Sequence, residues 1–126
     1  MSNSKIDNVF NLNAQERYGY LIRKVADFEQ IFLISQNDGA PVELGIEENK
    51  CIPVWPESEF AASFLIDDWE SYQVNVIEID DFLEWLEEVK LEEYLIAVFP
   101  NRKLNAVIVD PLKIKEHINT ERSQYE

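Results

Sequence analysis

Apolar residues recur with the period of an α-helix between residues 13 and 27. They follow the spacing i, i+3, i+4, i+7 and i+8, at Tyr18, Leu21, Ile22, Val25 and Ala26. Such a stripe is typical of a helix that packs one face on a core. Asn13 and Glu16 precede it with the spacing of a capping box, which predicts where the helix begins. Residues 1–12 show no such period, and we predict that they form an irregular lead-in.

Three short apolar runs follow this helix and predict β-strands. Residues 31–35 form the first, and the Asn-Asp-Gly sequence at 37–39 is a strong turn signal after it. Residues 41–46 are predicted to return as the second strand, and residues 51–55 to form the third. Pro53 cannot donate to a ladder, so we expect the third strand to lie at a sheet edge or to end there.

The second half of the chain combines helices with strands. We predict a helix that begins at Pro56, between Trp55 and Trp69. Its inward-facing residues are Phe60, Ala61, Phe64 and Leu65. A strand is predicted to follow over residues 72–79. Next come a helix capped by Asp80, with Phe82, Leu83, Leu86 and Val89 on the core side, and strands at 95–99 and 106–110 around a turn at 100–105. The last helix begins at Asp110–Pro111, buries Leu112, Ile114 and Ile118, and is predicted to fray over residues 121–126.

The predicted element order is α-β-β-β-α-β-α-β-β-α, which mixes hairpins with single crossovers. This order predicts one α+β domain over residues 13–126, with a mostly antiparallel sheet and helices packed against it. The chain length of 126 residues agrees with a single domain.

The chain carries a formal net charge of −14, from 25 acidic and 11 basic residues. Binding to nucleic acids or anionic membranes depends on Lys and Arg, so neither is an expected partner. Cys51 is the single cysteine, which rules out an internal disulfide and fits a reducing compartment. The N-terminus lacks a signal-peptide pattern, and no apolar run reaches the ~18 residues of a membrane span. We therefore expect a soluble cytoplasmic protein.

Paired acidic residues are the most conspicuous candidates for chemistry. The doublets are Glu47–Glu48, Asp67–Asp68, Asp80–Asp81, Glu87–Glu88 and Glu92–Glu93. Neighbouring carboxylates diverge on helices and strands, so we interpret the doublets as solvated surface and expect no metal site. His117 is the single histidine and has no nucleophile motif beside it. We predict no catalytic residue and no cofactor, since an enzyme would need Asp80, Glu84 or His117 to converge in a cleft.

Aromatic and acidic side chains supply a candidate interaction surface. Its residues are Trp55, Pro56, Trp69, Trp85, Asp81, Glu84 and Glu88. Trp55 stands at a strand end, where it packs in the core or lines a groove. Trp55 and Trp69 are expected near opposite ends of one helix, about 20 Å apart at ~1.5 Å per residue, and so not in one pocket. The cations, including Arg17 on or beside the polar side of the first helix and the Arg102–Lys103 pair, are expected to be local partners of carboxylates.

Six stretches of the chain share their pattern with a known family. They are ERYGYLIRKVADFE (16–29), IPVWPESEFAASF (52–64), IEIDDFLEWL (77–86), IAVFPN (96–101), VIVDPLKIKEHI (107–118) and QYE (124–126). Together they resemble a family of small, mostly bacterial proteins, the domain-of-unknown-function family 2750. The family has no assigned activity, so the resemblance implies no catalytic residue. Phe32 stands where family members have a tryptophan in the first strand.

The leading functional hypothesis is a non-enzymatic cytoplasmic module for protein interaction or regulation, whose partner is another protein. The alternative is an immunity-type antagonist, or a nucleic-acid mimic that inhibits a basic enzyme, because carboxylates spread along helices suit docking on a basic surface. A homodimer, through an edge strand near Pro53 or through an exposed Trp85, is compatible with the sequence but not required by it.

Overall fold

The computed structural model describes residues 4–46 and 48–125. Its helices are α1 (Ser4–Phe10), α2 (Ala14–Phe28), α3 (Ser58–Ala62), α4 (Ile79–Leu91) and α5 (Pro111–Arg122), with short 3₁₀ turns at Asp67–Trp69 and Ser123–Tyr125. Its strands are β1 (Gln30–Ser35), β2 (Leu44–Ile46), β3 (Asn49–Val54), β4 (Gln73–Glu78), β5 (Leu95–Val98) and β6 (Val107–Val109). The predicted α+β class is confirmed.

Local sequence signals explain where the longer helices begin. Asn13 accepts from the Glu16 N–H, and the Glu16 carboxylate accepts from the Asn13 N–H, so the predicted capping box starts α2. Asp110 accepts from the Leu112 N–H, and Pro111 occupies the first turn of α5. α4 begins at Ile79 without a side-chain cap, so the prediction that Asp80 caps this helix is wrong. Asp80 lies instead in the first turn, where a carboxylate favours the positive end of the helix dipole.

The strands form two hydrogen-bonded sheets that meet at one residue pair. β2-β3-β5-β6 is the order in the larger sheet, and β1 pairs with β4 in a two-stranded ribbon. β3 and β5 are parallel, whereas the other three pairings are antiparallel, as the prediction of a mostly antiparallel sheet requires. Phe32 and Trp55 exchange both main-chain hydrogen bonds, at 2.9 and 2.8 Å, and this exchange joins the ribbon to the end of β3.

The third strand is internal, so Pro53 does not mark a sheet edge; of the two predicted alternatives the strand end is the correct one, because β3 ends at Val54. Pro53 pairs with Ala97 of β5. The side of β3 that faces away from β5 has two partners, β2 up to Cys51 and β1 at Trp55. Pro53 lies between these two contacts on that flank. A residue without an N–H is tolerated there because no named strand pairs with that flank at position 53.

The second predicted strand is shorter than expected and has a different partner. Strand structure over residues 41–46 is confined to Leu44–Ile46, which pairs with β3 rather than with β1. Pro41 keeps one isolated bridge to Ser35, and the Val42 N–H donates to the Ile34 carbonyl at 2.9 Å. The Asn-Asp-Gly turn is present, with Gly39 at a φ of +92° that glycine adopts without strain.

The N-terminal segment is helical, contrary to the predicted irregular lead-in. α1 covers Ser4–Phe10, and residues 1–3 lie outside the described residues. Phe10 is 4% exposed, and its ring contacts the rings of Phe60, Phe64 and Phe99 at centroid distances of 5.3, 6.0 and 5.8 Å. One buried aromatic residue on a short polar helix leaves no periodic signal, which explains why the sequence pattern missed α1.

Two other helices also depart from their predicted extent. α3 begins at Ser58, not at Pro56, and ends at Ala62; it buries Phe60 and Ala61, while Phe64 and Leu65 follow in the next loop and are half-buried. In α5 the predicted core residues Ile114 and Ile118 are buried, but Leu112 is 43% exposed. The residues from Glu121 to Tyr125 continue as helix and 3₁₀ turn rather than fraying, and Glu126 lies outside the described residues.

Arg17 of α2 is 1% exposed, although the sequence placed it on the polar side of the helix. Its Nε donates to the Phe99 carbonyl at 2.9 Å, and its Nη2 donates to the Asn105 carbonyl at 2.7 Å. Nη1 donates to the carbonyls of Phe10, at 3.4 Å, and Leu12. Burial lowers the pKa of Arg17, but a guanidinium remains protonated at neutral pH. One buried cation thus fastens the end of α1 to both ends of the loop between β5 and β6.

We expect Arg17→Leu to lower the free energy of unfolding by about 3 kcal/mol, because it leaves two buried and two partly buried carbonyls without a donor. Arg17→Lys is also expected to destabilise the fold, since an ammonium lacks the planar fork that reaches all four oxygens. Urea denaturation followed by tryptophan fluorescence measures both effects. Arg23→Leu on the exposed face of α2 is the matched control, and an equal loss there would contradict the assigned role of Arg17.

We expect Phe10→Ala to cost about 3–5 kcal/mol, the usual range for removing a buried aromatic ring. Phe28→Ala, which removes a ring that is 55% exposed, should cost less than about 1 kcal/mol. The same denaturation measurement compares them. Equal effects would mean that α1 is not part of the folded core.

Candidate interaction site

A row of aromatic rings leads from the core to the surface. The ring centroids of Trp55 and Phe64 lie 5.0 Å apart, those of Phe64 and Trp69 lie 6.5 Å apart, and Trp69 stacks on Tyr72 at 6.3 Å. Trp55 is fully buried, and Trp69 and Tyr72 are half-buried. The sequence-based separation of about 20 Å assumed one straight helix. That assumption is wrong because α3 ends at Ala62, and the chain then turns so that Phe64 contacts both tryptophans.

The outer end of this row borders a cleft of about 240 Å³, which we call the Ile66–Leu104 cleft. The loop between α3 and β4 contributes Phe64, Ile66, Asp67, Asp68 and Trp69, and the loop between β5 and β6 contributes Arg102 and Leu104. Ile66 is 62% exposed and Leu104 is 40% exposed. Two separate loops therefore present apolar side chains to solvent at one place.

Each of these loops contains a residue with positive φ at the cleft. Asp67 has a φ of 53° and Leu104 has a φ of 60°. Aspartate tolerates this region, whereas leucine adopts it at a cost of about 1–2 kcal/mol. The Asn101 side chain accepts from the N–H groups of Lys103 and Asn105, and the Leu104 N–H donates to the Asn101 carbonyl at 2.8 Å. These bonds, together with the Arg17 contacts, hold Leu104 in its unfavourable conformation.

Arg102 contributes to the Ile66–Leu104 cleft and also to a neighbouring cleft of about 570 Å³. Its Nη1 donates to the Asp7 carboxylate at 2.8 Å, and its guanidinium lies 5.2 Å from the centre of the Phe10 ring. Both members of the ion pair are about half exposed, so the pair contributes little stability. The expectation that Arg102 partners a carboxylate is correct, and that partner lies on α1.

Comparison with known proteins assigns the chain to a family. The model of the family described as "Protein of unknown function (DUF2750)" matches residues 18–118. The chain belongs to this family. Both loops of the Ile66–Leu104 cleft fall within the matched range, whereas α1 precedes it. No curated protein matches the chain.

In this DUF2750 member, two residues of the predicted interaction surface are buried. Trp55 is 0% exposed, and its Nε1 donates to the Pro100 carbonyl at 3.2 Å. Pro56 is also buried. Of the two alternatives that the sequence left open for Trp55, the structure shows packing in the core, because the ribbon joins β3 at Trp55 and the aromatic row covers the indole. Trp69 is half-buried and lines the Ile66–Leu104 cleft.

The other predicted surface residues lie together on α4, away from its buried side. Asp81, Glu84 and Glu88 are exposed, and Trp85 is half-buried with its ring 5.9 Å from that of Phe82. Within residues 4–46 and 48–125, the three carboxylates form no ion pair. The α5 side of α4 differs, since Asp80 pairs with Arg122 at 3.1 Å and Glu87 pairs with Lys115 at 2.5 Å.

The residues considered for catalysis have separate surroundings in the DUF2750 chain. The Tyr18 hydroxyl and His117 Nδ1 lie 2.5 Å apart between α2 and α5, and burial raises the pKa of Tyr18 to about 12. Cys51 is buried, and burial raises the pKa of its thiol. In the described part of the chain, no three His, Cys, Asp or Glu side chains are grouped as a metal site would require. None of the described helices is long and apolar enough to span a bilayer.

Sequence reasoning missed the two residues that project most clearly at the cleft. Ile66 has no assigned role in the sequence analysis, because it falls within a helix that was expected to extend to about Trp69. Leu104 is an apolar residue within a polar turn, NRKLN, and this mismatch was the available signal. Positive φ at a leucine leaves no trace in composition or periodicity.

We expect Leu104→Gly to leave the free energy of unfolding within about 0.5 kcal/mol of the parent, because relief of the positive φ offsets the lost side-chain contacts. Leu112 is the matched control, since it is 43% exposed and lies in a helix. Leu112→Gly should cost about 1 kcal/mol through helix propensity. Thermal and urea unfolding compare the two variants, and equal losses would show that Leu104 carries no backbone strain.

Proposed function

We propose that the chain is a non-enzymatic protein-interaction module, and that the Ile66–Leu104 cleft receives an apolar side chain of a partner protein. One observation carries the proposal: two loops that each contain a positive-φ residue present Ile66 and Leu104 to solvent beside Trp69. A leucine held in an unfavourable conformation lowers stability, and partial exposure means that it gains less from burial than a core leucine does. Such costs are typical of binding sites, where a partner provides the missing contacts.

The charges at the cleft support a basic partner. Asp67 and Asp68 are exposed and lie beside the apolar side chains, while Arg102 is already paired with Asp7. The net charge of −14 repels acidic partners and accelerates association with basic ones. The proposal is therefore a partner segment with an apolar anchor and an adjacent Lys or Arg. A cytoplasmic location is part of the proposal, and the single, buried free thiol is compatible with it.

A photo-crosslinking amino acid at position 66 tests this function in a lysate of the source cells. We expect a specific protein adduct from position 66 and none from position 91, where Leu91 is 83% exposed and serves as the control. Adding Leu104→Gly should abolish the adduct, and raising the salt concentration should weaken it because screening reduces the charge attraction.

An equal set of adducts from positions 66 and 91 would contradict the proposal. So would an adduct that is unaffected by Leu104→Gly, because the cleft would then contribute nothing to binding. The captured protein should also contain a basic segment, and the peptide crosslinked to position 66 identifies it by mass spectrometry.

The acidic face of α4 favours the alternative function, an antagonist that docks on a basic enzyme. Asp81, Glu84 and Glu88 are exposed without ion pairs in the described part of the chain, and Trp85 lies among them. A crosslinker at position 84 distinguishes the two functions within the same experiment. An adduct from position 84 that survives Leu104→Gly would support docking through α4 instead of through the cleft.

A further inference from the structure

The outer edge of β4 carries main-chain groups that are unpaired with any described strand. Phe32 and Ile34 direct their main-chain hydrogen bonds toward Trp55 and Val42, away from β4. Directly opposite residues in an antiparallel pair share the same hydrogen-bonding state. Their partners Val76 and Val74 therefore point N–H and C=O away from β1, and Glu78 follows by the same alternation. The Ile79 N–H donates to the Glu29 carbonyl at 2.9 Å, toward the β1 side. This bond independently indicates that the preceding residue, Glu78, directs its main-chain groups outward.

This edge has few of the features by which proteins protect exposed strands. The edges of the larger sheet are β2 and β6, and each is only three residues long. β4 has six residues, QVNVIE, with no proline and no lysine among them. Val76 is 52% exposed beside Phe32, its half-buried cross-strand neighbour. A long edge strand with β-branched residues and no guarding cation is a template for another strand.

Charge at both ends of β4 indicates what kind of strand would pair there. Glu70 precedes the strand, Glu78 is its last residue, and Asp81 lies in the first turn of α4, which follows directly. All three side chains are exposed. A second copy of this chain would bring another −14 to the same place, whereas a basic segment would neutralise these carboxylates. The charge therefore favours a foreign basic strand over self-association.

We propose that β4 binds an extended basic segment of a partner protein by strand addition, with its main chain paired to Val74, Val76 and Glu78. Main-chain hydrogen bonds supply the affinity in this mode, and alternate side chains supply the specificity. The inference rests on the proposed function as an interaction module and specifies how the partner binds. β4 begins directly after Tyr72, which stacks on Trp69, so the strand edge and the Ile66–Leu104 cleft are adjacent.

A peptide of the same length as β4, with alternating lysine and valine, is the probe. Titration followed by amide hydrogen exchange should show new protection at Val74, Val76 and Glu78. Val76→Pro should weaken binding about tenfold, because it removes an outward donor without breaking the β1 ladder. Val76→Thr keeps the N–H and the branched side chain, so its affinity should stay within about threefold of the parent. Thermal unfolding verifies that both variants fold.

Two matched peptides separate strand addition from simple charge attraction. The same peptide with N-methyl groups on the edge that would face β4 should not bind, and neither should its glutamate counterpart. Binding of the N-methylated peptide, or equal binding to the parent and to Val76→Pro, would overturn the proposal. Protection of the same three amides in concentrated protein alone, together with a dimer in sedimentation, would assign the edge to a second copy and would also overturn it.

The crosslinking result at position 66 is independent of this probe. A position-66 adduct without peptide-induced protection at β4 would refute strand addition and leave the interaction module intact. The absence of any specific position-66 adduct would refute the module in its proposed form, even if the peptide bound.

Discussion

The fold depends on one buried guanidinium that is neutralised by carbonyl dipoles instead of by a carboxylate. Arg17 reaches the carbonyl oxygens of Phe10, Leu12, Phe99 and Asn105, which belong to segments far apart in sequence. Burying a charge is costly unless its hydrogen bonds are satisfied, so the alternatives to this arrangement are strongly disfavoured. The arrangement orders the loop that carries Arg102 and Leu104. A residue without access to solvent thereby determines the shape of a surface.

The two proposed binding surfaces share a physical character, since each is an unfavourable exposure that the fold maintains. At the cleft, the exposure consists of apolar side chains on loops with positive φ. At β4, it consists of unpaired main-chain groups along a long edge. The stacked rings of Trp69 and Tyr72 connect the two, and they continue inward to Trp55. The aromatic row thus packs beneath the region where the cleft and the edge of β4 meet.

Much of the fold follows from periodicity and end signals. α2, α4 and α5 have apolar stripes, two of them with capping residues, and β1, β4 and β5 are apolar or alternating runs; all were predicted close to their observed positions. The failures that bear on the cleft concern α1, the length of α3 and the burial of Arg17. Each depends on contacts between distant segments: one phenylalanine anchors α1, and Arg17 is buried because carbonyls from another loop surround it. Contacts between distant segments cannot be inferred from local sequence patterns. The cleft depends on such contacts, and it therefore could not be predicted.

The parallel pairing of β3 with β5 has a consequence for how the chain reaches its structure. Everything from Trp55 to Tyr94, including α3, β4 and α4, lies between the two strands, so their pairing closes a long loop. Pairings that close such long loops raise the contact order and slow folding. β4 lies within this interval and pairs with β1, which precedes β3 in the chain and bonds the end of β3 through Phe32 and Trp55. Until β1 pairs with β4, both edges of β4 are open, and association between unfinished chains competes with folding.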